Sequence, residues 1–326
     1  MKIYYRIRKD NIEIVRCYGT EPEVVIPSEI NGKTVTSVAA YAFSGHYSEE
    51  SENVCLWESG DNFISGREEH LLADSAIEKV VFPESLKEIG RYIFYGCSRL
   101  KSLEFSDNLV QIGCGAFTGC HNLEKLMIHM KNGHQTCAKE ILGELWQRID
   151  LDLLYEKEDN DFQEARLVFP EHYDEAVENT PARILMTQYH GSGGSYRQCF
   201  YNRILNYREY DRLFSMAKVM DNLEVLVDMC FDRLEFPYEL SEDARGEYVG
   251  YVRENLSEIA SYLVRNQDLH RLQQLSDKKL WNENGLETAL DVAACQKDTE
   301  IAAYLMNERE KLAEKNPVHK KKRFAL

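Results

Sequence analysis

Long apolar runs are missing from this sequence. No window of its 326 residues approaches the ~20 consecutive apolar residues of a membrane-spanning helix. The opening stretch, Met1–Glu21, has no apolar core between its charges and no small-residue cleavage site, so it does not read as a signal peptide. The C-terminus shows no anchor, and the expected location is the cytoplasm. Metal-site spacings are also absent. There is no Cys-x-x-Cys and no His-x-x-x-His pair, although His121 follows Cys120 and His129 and His134 lie near Cys137; neither a metal nor a cofactor is expected. Positive charge is in deficit: Lys and Arg number 39 against 55 Asp and Glu, a net charge of −16. Such a chain repels nucleic acid and anionic membrane. The exception is the run His319-Lys320-Lys321-Lys322-Arg323, which reads as a solvated end, with an electrostatic tether to RNA or to an acidic partner as the sharper alternative. The cysteines number 9. That odd count, with several at core-like positions, fits reduced thiols acting as small buried hydrophobes better than a disulfide framework.

What is present is a repeat. Residues 77–99, IEKVVFPESLKEIGRYIFYGCSR, align with 100–122, LKSLEFSDNLVQIGCGAFTGCHN, and Leu123 opens a third copy. The offset of 23 residues carries Phe82 onto Phe105, Leu86 onto Leu109, Ile89 onto Ile112, Gly90 onto Gly113, Phe94 onto Phe117 and Cys97 onto Cys120. In each copy a short strand sends Val80 and Phe82 inward and Lys79 and Val81 outward. A second extended piece turns Leu86 and Ile89 inward, Gly90 relaxes the backbone, and Phe94 and Leu100 plug the end. No copy can bury its apolar side alone, so neighbours must stack into ladders of like residues. Ladder equivalence puts Lys79, Ser102 and Lys125 in one outward column and Val81, Glu104 and Met127 in the next, with His129 continuing the third strand. These seven residues form the candidate surface for a protein partner.

A stretched first copy precedes them, VVIPSEINGKTVTSVAAYAFSGH at 24–46. It sets Ile26 in the place of Phe82, Val35 of Leu86, Val38 of Ile89 and Phe43 of Phe94, with Asn31-Gly32 inside a short extension where a turn with positive φ fits. Residues 1–20 suggest a hairpin turned at Lys9-Asp10-Asn11. Residues 47–76, polar and Gly-containing around Trp57 and Phe63, are expected to bulge as a loop. The two clean copies, VVFPESLKEIGRYIFYGCSRL and LEFSDNLVQIGCGAFTGCHNL, carry the pattern strand-Pro-x-x-Leu-x-x-Ile-Gly-x-x-Ala-Phe-x-x-Cys-x-x-Leu, with Ser106 for proline in one and Ile93 for alanine in the other. This pattern resembles the BspA-type leucine-rich repeat family over roughly residues 20–130. The resemblance implies a curved solenoid and a role in protein interaction. Surface members of that family carry export signals; none is read here, so adhesion to host proteins is not carried over.

Beyond residue 130 the period breaks. Ile141, Leu142, Leu145, Trp146, Ile149 and Leu153 return at three- and four-residue steps and predict an amphipathic helix over Cys137–Glu156. The segment EARLVFPEHY (164–173) echoes residues 78–86, so the sheet is expected to resume there, with Ala182–Tyr189 closing it. Helices are predicted at Ser195–Asn206, Tyr207–Met216, Asn222–Leu234, Ser241–Arg265, Leu269–Gln274, Leu286–Gln296 and Thr299–Leu312. Glu258–Leu263 recurs as Glu300–Leu305. The pair Thr288–Ala294 and Glu300–Met306 resembles the helix pair of an ankyrin repeat, with Asp291 where His is usual and no glycine near Asp298. The expected class is α+β: a leucine-rich-repeat β-solenoid over residues 1–190, with insertions at 47–76 and 131–164, then an all-helical ankyrin-like array over 191–326.

One stretch carries possible chemistry. In Tyr189-His190-Gly191-Ser192-Gly193-Gly194-Ser195-Tyr196-Arg197-Gln198-Cys199, three glycines precede a predicted helix. They could form a nest of N–H groups for an anion, assisted by Arg197, and His190 and Cys199 could act as base and nucleophile. The spacing is neither a phosphate loop nor Gly-x-Ser-x-Gly. The structural alternative is an inter-domain turn in which Ser195 caps the next helix and Gln198 completes a capping box. Two functions stay open: a non-enzymatic scaffold that binds a protein on the solenoid sheet face or in the groove between solenoid and helical part, and an enzyme or anion sensor centred on His190, Ser192, Arg197 and Cys199.

Overall fold

Each copy carries two short runs of alternating apolar side chains, and the runs build two separate sheets. In this computed structural model, residues 1–46, 53–59, 69–156, 162–179 and 184–315 are described; Phe63 and the basic run His319–Arg323 lie outside them. A hairpin of β1 (Lys2–Arg8) and β2 (Asn11–Gly19) leads to the first coil, which has β3 (Glu23–Val25), β4 (Glu29–Ile30) and β5 (Lys33–Val38). The insertion contributes β6 (Cys55–Glu58) and β7 (His70–Leu71). The second coil has β8 (Lys79–Val81) and β9 (Glu88–Ile89), the third β10 (Ser102–Ser106) and β11 (Gln111–Ile112). After β12 (Lys125–Met130) come helix α1 (Ala138–Glu144), β13 (Ile149–Glu156) and β14 (Phe162–Phe169). The first strands β3, β8, β10, β12 and β13 pair in parallel, and β14 runs antiparallel to β13. The second strands β5, β9 and β11 form the other sheet, which β2, β1 and β6 extend.

The 23-residue ladder is realised residue on residue. Val80 pairs with Val24 and Leu103, and Ile89 with Val38 and Ile112. The rings of Phe43, Phe94 and Phe117 stack in sequence at 5.3 and 5.7 Å. The Cys97 thiol donates to the Phe43 carbonyl at 3.0 Å and the Cys120 thiol to that of Phe94 at 3.3 Å. Burial pushes both thiols up, Cys120 to about 12, so neither ionises at neutral pH. The column glycines Gly90 and Gly113 are needed for close approach rather than for backbone freedom. A Cβ on Gly113 would lie 2.1 Å from the Arg91 nitrogen, and one on Gly90 2.3 Å from that of Ala40.

In the corner that follows the second strands, backbone N–H groups point to the next coil. Tyr41 donates to Arg91, Phe43 to Ile93, Tyr92 to Cys114 and Phe94 to Ala116. The stack therefore ends in orphan carbonyls on one side and orphan N–H groups on the other. Opposite charges meet them. The Arg16 guanidinium donates to the carbonyls of Ser44 and His46 in the first coil. At the far end the Glu144 carboxylate, at the last turn of α1, accepts from the Gly115 and Phe117 N–H groups, each at 3.0 Å. Replacing Glu144 by Ala is expected to cost about 1–2 kcal/mol in urea unfolding, with Gln recovering only part because its amide nitrogen accepts nothing. An unchanged midpoint for Glu144→Ala would contradict the end-cap role.

Several sequence expectations are corrected. The helix expected over Cys137–Glu156 stops at Glu144, and Ile149–Glu156 is strand β13, so the sheet resumes at Ile149 rather than near residue 165. Ile149, Leu151 and Leu153 are buried and alternate with Asp150 and Asp152, a two-residue period that the helical pattern overlapped. The segment expected to close the sheet at Ala182–Tyr189 instead gives β16 (Ile184–His190), which among the described residues pairs with β15 (Tyr173–Asn179) in a two-stranded ribbon. The helix expected over Ser195–Asn206 is one turn, α2 (Gly193–Tyr196), then a hairpin of β17 (Phe200–Tyr201) and β18 (Ile204–Leu205). Asn202 and Arg203 turn that hairpin with φ of 48° and 64°. The capping box does not form: Ser192, not Ser195, precedes the turn, and its side chain makes no cap bond. Helices α3 (Tyr207–Arg212) and α4 (Phe214–Met220) follow.

The chain divides into two compact units, Met1–Asp221 with Phe236–Glu239, and Asn222–Glu235 with Leu240–Leu326. The described part of the second unit is helical: α5 (Leu223–Glu235), α6 (Glu242–Glu254), α7 (Leu256–Arg265), α8 (Leu269–Asp277), α9 (Glu283–Gln296) and α10 (Thr299–Lys315). The single helix expected over Ser241–Arg265 breaks at Asn255, whose φ of −108° and ψ of 19° leave the helical range. Ser241, Asp268 and Asn282 cap their helices through side-chain oxygens. Helix α9 packs on α7 and on α10, and the two echoed segments bury equivalent residues, Ile259 with Leu263 and Ile301 with Leu305.

Candidate functional site

The outward columns of the first-strand sheet lie in the register expected from the repeat. Lys79, Ser102 and Lys125 are neighbours across β8, β10 and β12, flanked by Glu23 and Asp150. Val81, Glu104 and Met127 form the adjacent column, flanked by Val25 and Asp152, while His129 pairs with Ser106 and Leu154. The lysines are not free charges. Lys79 Nζ reaches Glu104 at 3.5 Å, and Lys125 Nζ reaches the buried carboxylate of Asp152 at 2.6 Å. His129 Nε2 meets Glu104 from the other side at 3.1 Å. Of these, the half-exposed Lys79–Glu104 and His129–Glu104 pairs contribute at most about 1 kcal/mol each. Their main effect is to hold long side chains flat along the sheet.

Where the first strands end, the chain turns toward the second sheet, and the turns leave a shallow groove of about 900 Å³. Val81, Glu104 and His129 line it together with Val25, Glu29 and Glu84. Lys79 reaches it only through Glu104. Ser102, Lys125 and Met127 stand on the same sheet but outside the groove lining. The β4–β5 hairpin contributes Glu29 and Thr34. That hairpin is the extension of the first copy around Asn31-Gly32, both with positive φ (51° and 74°). Sequence reasoning located the extension but not its part in the groove. The length difference between first and second copies was the available signal. Val25 was also missed, although it occupies the column of Val81 and is 60% exposed.

In the Gly-rich stretch each candidate residue is engaged with another group. His190, on the ribbon, binds Glu175 at 3.0 Å and stacks on Tyr173 with ring centroids 4.5 Å apart. Cys199 is buried, its thiol directed at the Ser195 carbonyl, and burial pushes its pKa up to about 12. Ser192 donates its hydroxyl to Asp221, whose own pKa burial raises. Arg197 is 5% exposed. Its guanidinium donates to five backbone carbonyls: Pro170 at 2.7 Å, Gln147 at 2.8 Å, Leu142 at 3.0 Å, and Leu145 and Gly193 at 3.1 Å. Burial lowers its pKa to about 10, so it remains charged at neutral pH, with each of its three nitrogens engaged by protein carbonyls. Among the described residues no group of three or more His, Cys, Asp or Glu is placed to hold a metal ion. Nor is any described helix long and apolar enough to cross a membrane.

Residues 65–139 match the profile of the BspA type leucine rich repeat region (6 copies). No curated protein matches the chain. Similar solved structures include a leucine rich cell surface protein from Faecalibacterium prausnitzii, 18% identical with a TM-score of 0.26, over 40% of this chain and 31% of that one. A leucine-rich repeat protein of T. pallidum aligns at 20% identity and a TM-score of 0.23, over 38% of this chain and 67% of its own.

Proposed function

Because residues 65–139 belong to the BspA-type leucine-rich repeats, we propose that this chain is a protein-interaction scaffold whose docking surface is the outward face of its first-strand sheet. Repeats of this family are typically non-enzymatic, and their role is to present stacked strands to another protein. The observation that carries the reading is the groove along the ends of β3, β8 and β10, lined by three residues of the outward columns, Val81, Glu104 and His129. Its lining mixes apolar side chains such as Val25 and Val81 with the carboxylates of Glu29, Glu84 and Glu104, the makeup of a protein-contact patch. The enzyme alternative has less support, since His190 and Cys199 are each engaged with other groups and the Cys199 thiol is protonated at neutral pH.

The test is affinity capture from the native cell with the intact chain and with two variants. Val25→Asp combined with Val81→Asp is expected to release the captured partner while leaving the thermal midpoint close to the parent. His190→Ala combined with Ser192→Ala is expected to retain it. Retention by the first variant and loss by the second would overturn the assignment of the docking surface.

A further inference from the structure

Several hydrogen-bond donors of the groove are already engaged, while its charged groups are acceptors. Ser106 Oγ and Asn108 Nδ2 already donate to the Glu84 carbonyl, at 3.0 and 2.9 Å, and Ser85 Oγ donates to that of Val35 at 2.7 Å. The imidazole of His129 is turned to Glu104. Beside the hydroxyls of Ser28 and Thr34, the charge that lines the groove is carboxylate, from Glu29, Glu84 and Glu104. Glu29 has no ion-pair partner among the described residues. The Glu84 side chain is 65% exposed, and its lysine, Lys131 at 2.6 Å, is shared with Glu156 at 3.4 Å. The same groove presents Val25, 60% exposed, in register with Val81.

We propose that the groove takes an extended segment of the partner protein in which Lys or Arg side chains alternate with apolar ones. The inference rests on the scaffold reading above and names the chemistry of the occupant. An ammonium or guanidinium group donates charge-assisted hydrogen bonds to the carboxylates that line the groove. In an extended segment successive side chains point to opposite sides, so cations can reach Glu29 and Glu84 while alternate apolar residues cover Val25 and Val81. The chain's net charge of −16 adds a long-range field that draws a basic segment and repels an acidic one.

The probe is a displayed library of random dodecapeptides selected on the intact chain, followed by fluorescence anisotropy of the enriched sequences. The expected consensus alternates Lys or Arg with Val, Ile, Leu or an aromatic, and its affinity falls as salt rises. Glu29→Lys with Glu84→Lys should weaken binding by about tenfold, because two partly exposed attractions become repulsions. Val25→Asp should weaken it as well. All three positions are at the surface, so unchanged thermal midpoints serve as the folding control. A neutral or acidic consensus, or charge reversals that change affinity less than about twofold while Val25→Asp still releases the peptide, overturns the basic occupant and leaves the groove as docking surface. Peptides indifferent to every groove variant overturn both. No enriched peptide at all overturns the extended occupant and leaves the docking of a folded partner standing.

Discussion

Phe94→Ala is expected to lower stability more than any other single truncation in the repeat. Phe94 is fully buried and central: its ring lies 5.3 Å from Phe43 at 10° and 5.7 Å from Phe117 at 26°, and Phe82 tilts against it at 6.2 Å. Removing a buried Phe costs about 3–5 kcal/mol through lost transfer energy and the cavity left behind. Each offset-stacked pair carries about 0.5–1.5 kcal/mol beyond area burial. In a stack held by nearest-neighbour contacts, a residue that touches the coils on both sides weakens two interfaces at once. Relaxation cannot close the gap easily, because backbone bonds from Phe43 to Ile93 and from Phe94 to Ala116 fix the coil spacing at the same height. Urea unfolding followed by far-UV dichroism reads the effect, with Val81→Ala on the outer face as comparison. A shift for Phe94→Ala no larger than that for Val81→Ala would refute the ladder as the source of stability.

Arg197→Ala is expected to be nearly as damaging, for a different reason. The residue clamps carbonyls from α1 (Leu142), the α1–β13 connection (Leu145, Gln147), the end of β14 (Pro170) and the Gly-rich turn (Gly193). Each buried carbonyl stripped of its donor costs about 1–3 kcal/mol, less where water enters, so a total on the order of 4 kcal/mol is expected. Arg197→Lys should recover only a minor share, since an ammonium has three donors and no planar fork. The same experiment bears on anion binding. A buried guanidinium with all three nitrogens on carbonyls is poorly placed to take an added anion, so millimolar phosphate or sulfate should leave the midpoint of the parent chain unchanged. An Arg197→Ala chain as stable as its parent, or a parent stabilised by phosphate, would return this loop to consideration as an anion site.

The repeat was legible because two independent signals agreed in it, a two-residue apolar alternation and turn residues recurring at one offset. Each of Val80, Phe82, Leu86, Ile89, Phe94 and Leu100 is buried as the pattern requires. Legibility failed where one set of residues satisfied two periods. Ile149, Leu151 and Leu153 fit a strand as well as the end of an amphipathic helix, and only pairing with β12 decides between them. It failed again at 200–205, where the hairpin turn places Arg203 at positive φ, a residue that carries no turn signal of its own. The outward columns could be written down from the repeat, because register follows from the offset. Their ion pairs and the groove beside them could not, since these depend on side-chain direction and on where the β4–β5 hairpin lies. Gly90 and Gly113 illustrate a third case: the residue was noticed, but the reason for it was a backbone neighbour that only stacking supplies.

The paired terminal charges, Arg16 on carbonyls of the first coil and Glu144 on N–H groups of the third, give the stack a head and a tail that cannot be exchanged. The second coil, between them, accepts from the first through Arg91 and Ile93 and donates to the third through Tyr92 and Phe94 in the same pattern. Length is therefore an adjustable property of this architecture: a copy spliced in or excised between the capped ends creates no new unsatisfied surface. Chains of different copy number built on this plan would differ in the reach of the groove rather than in its chemistry.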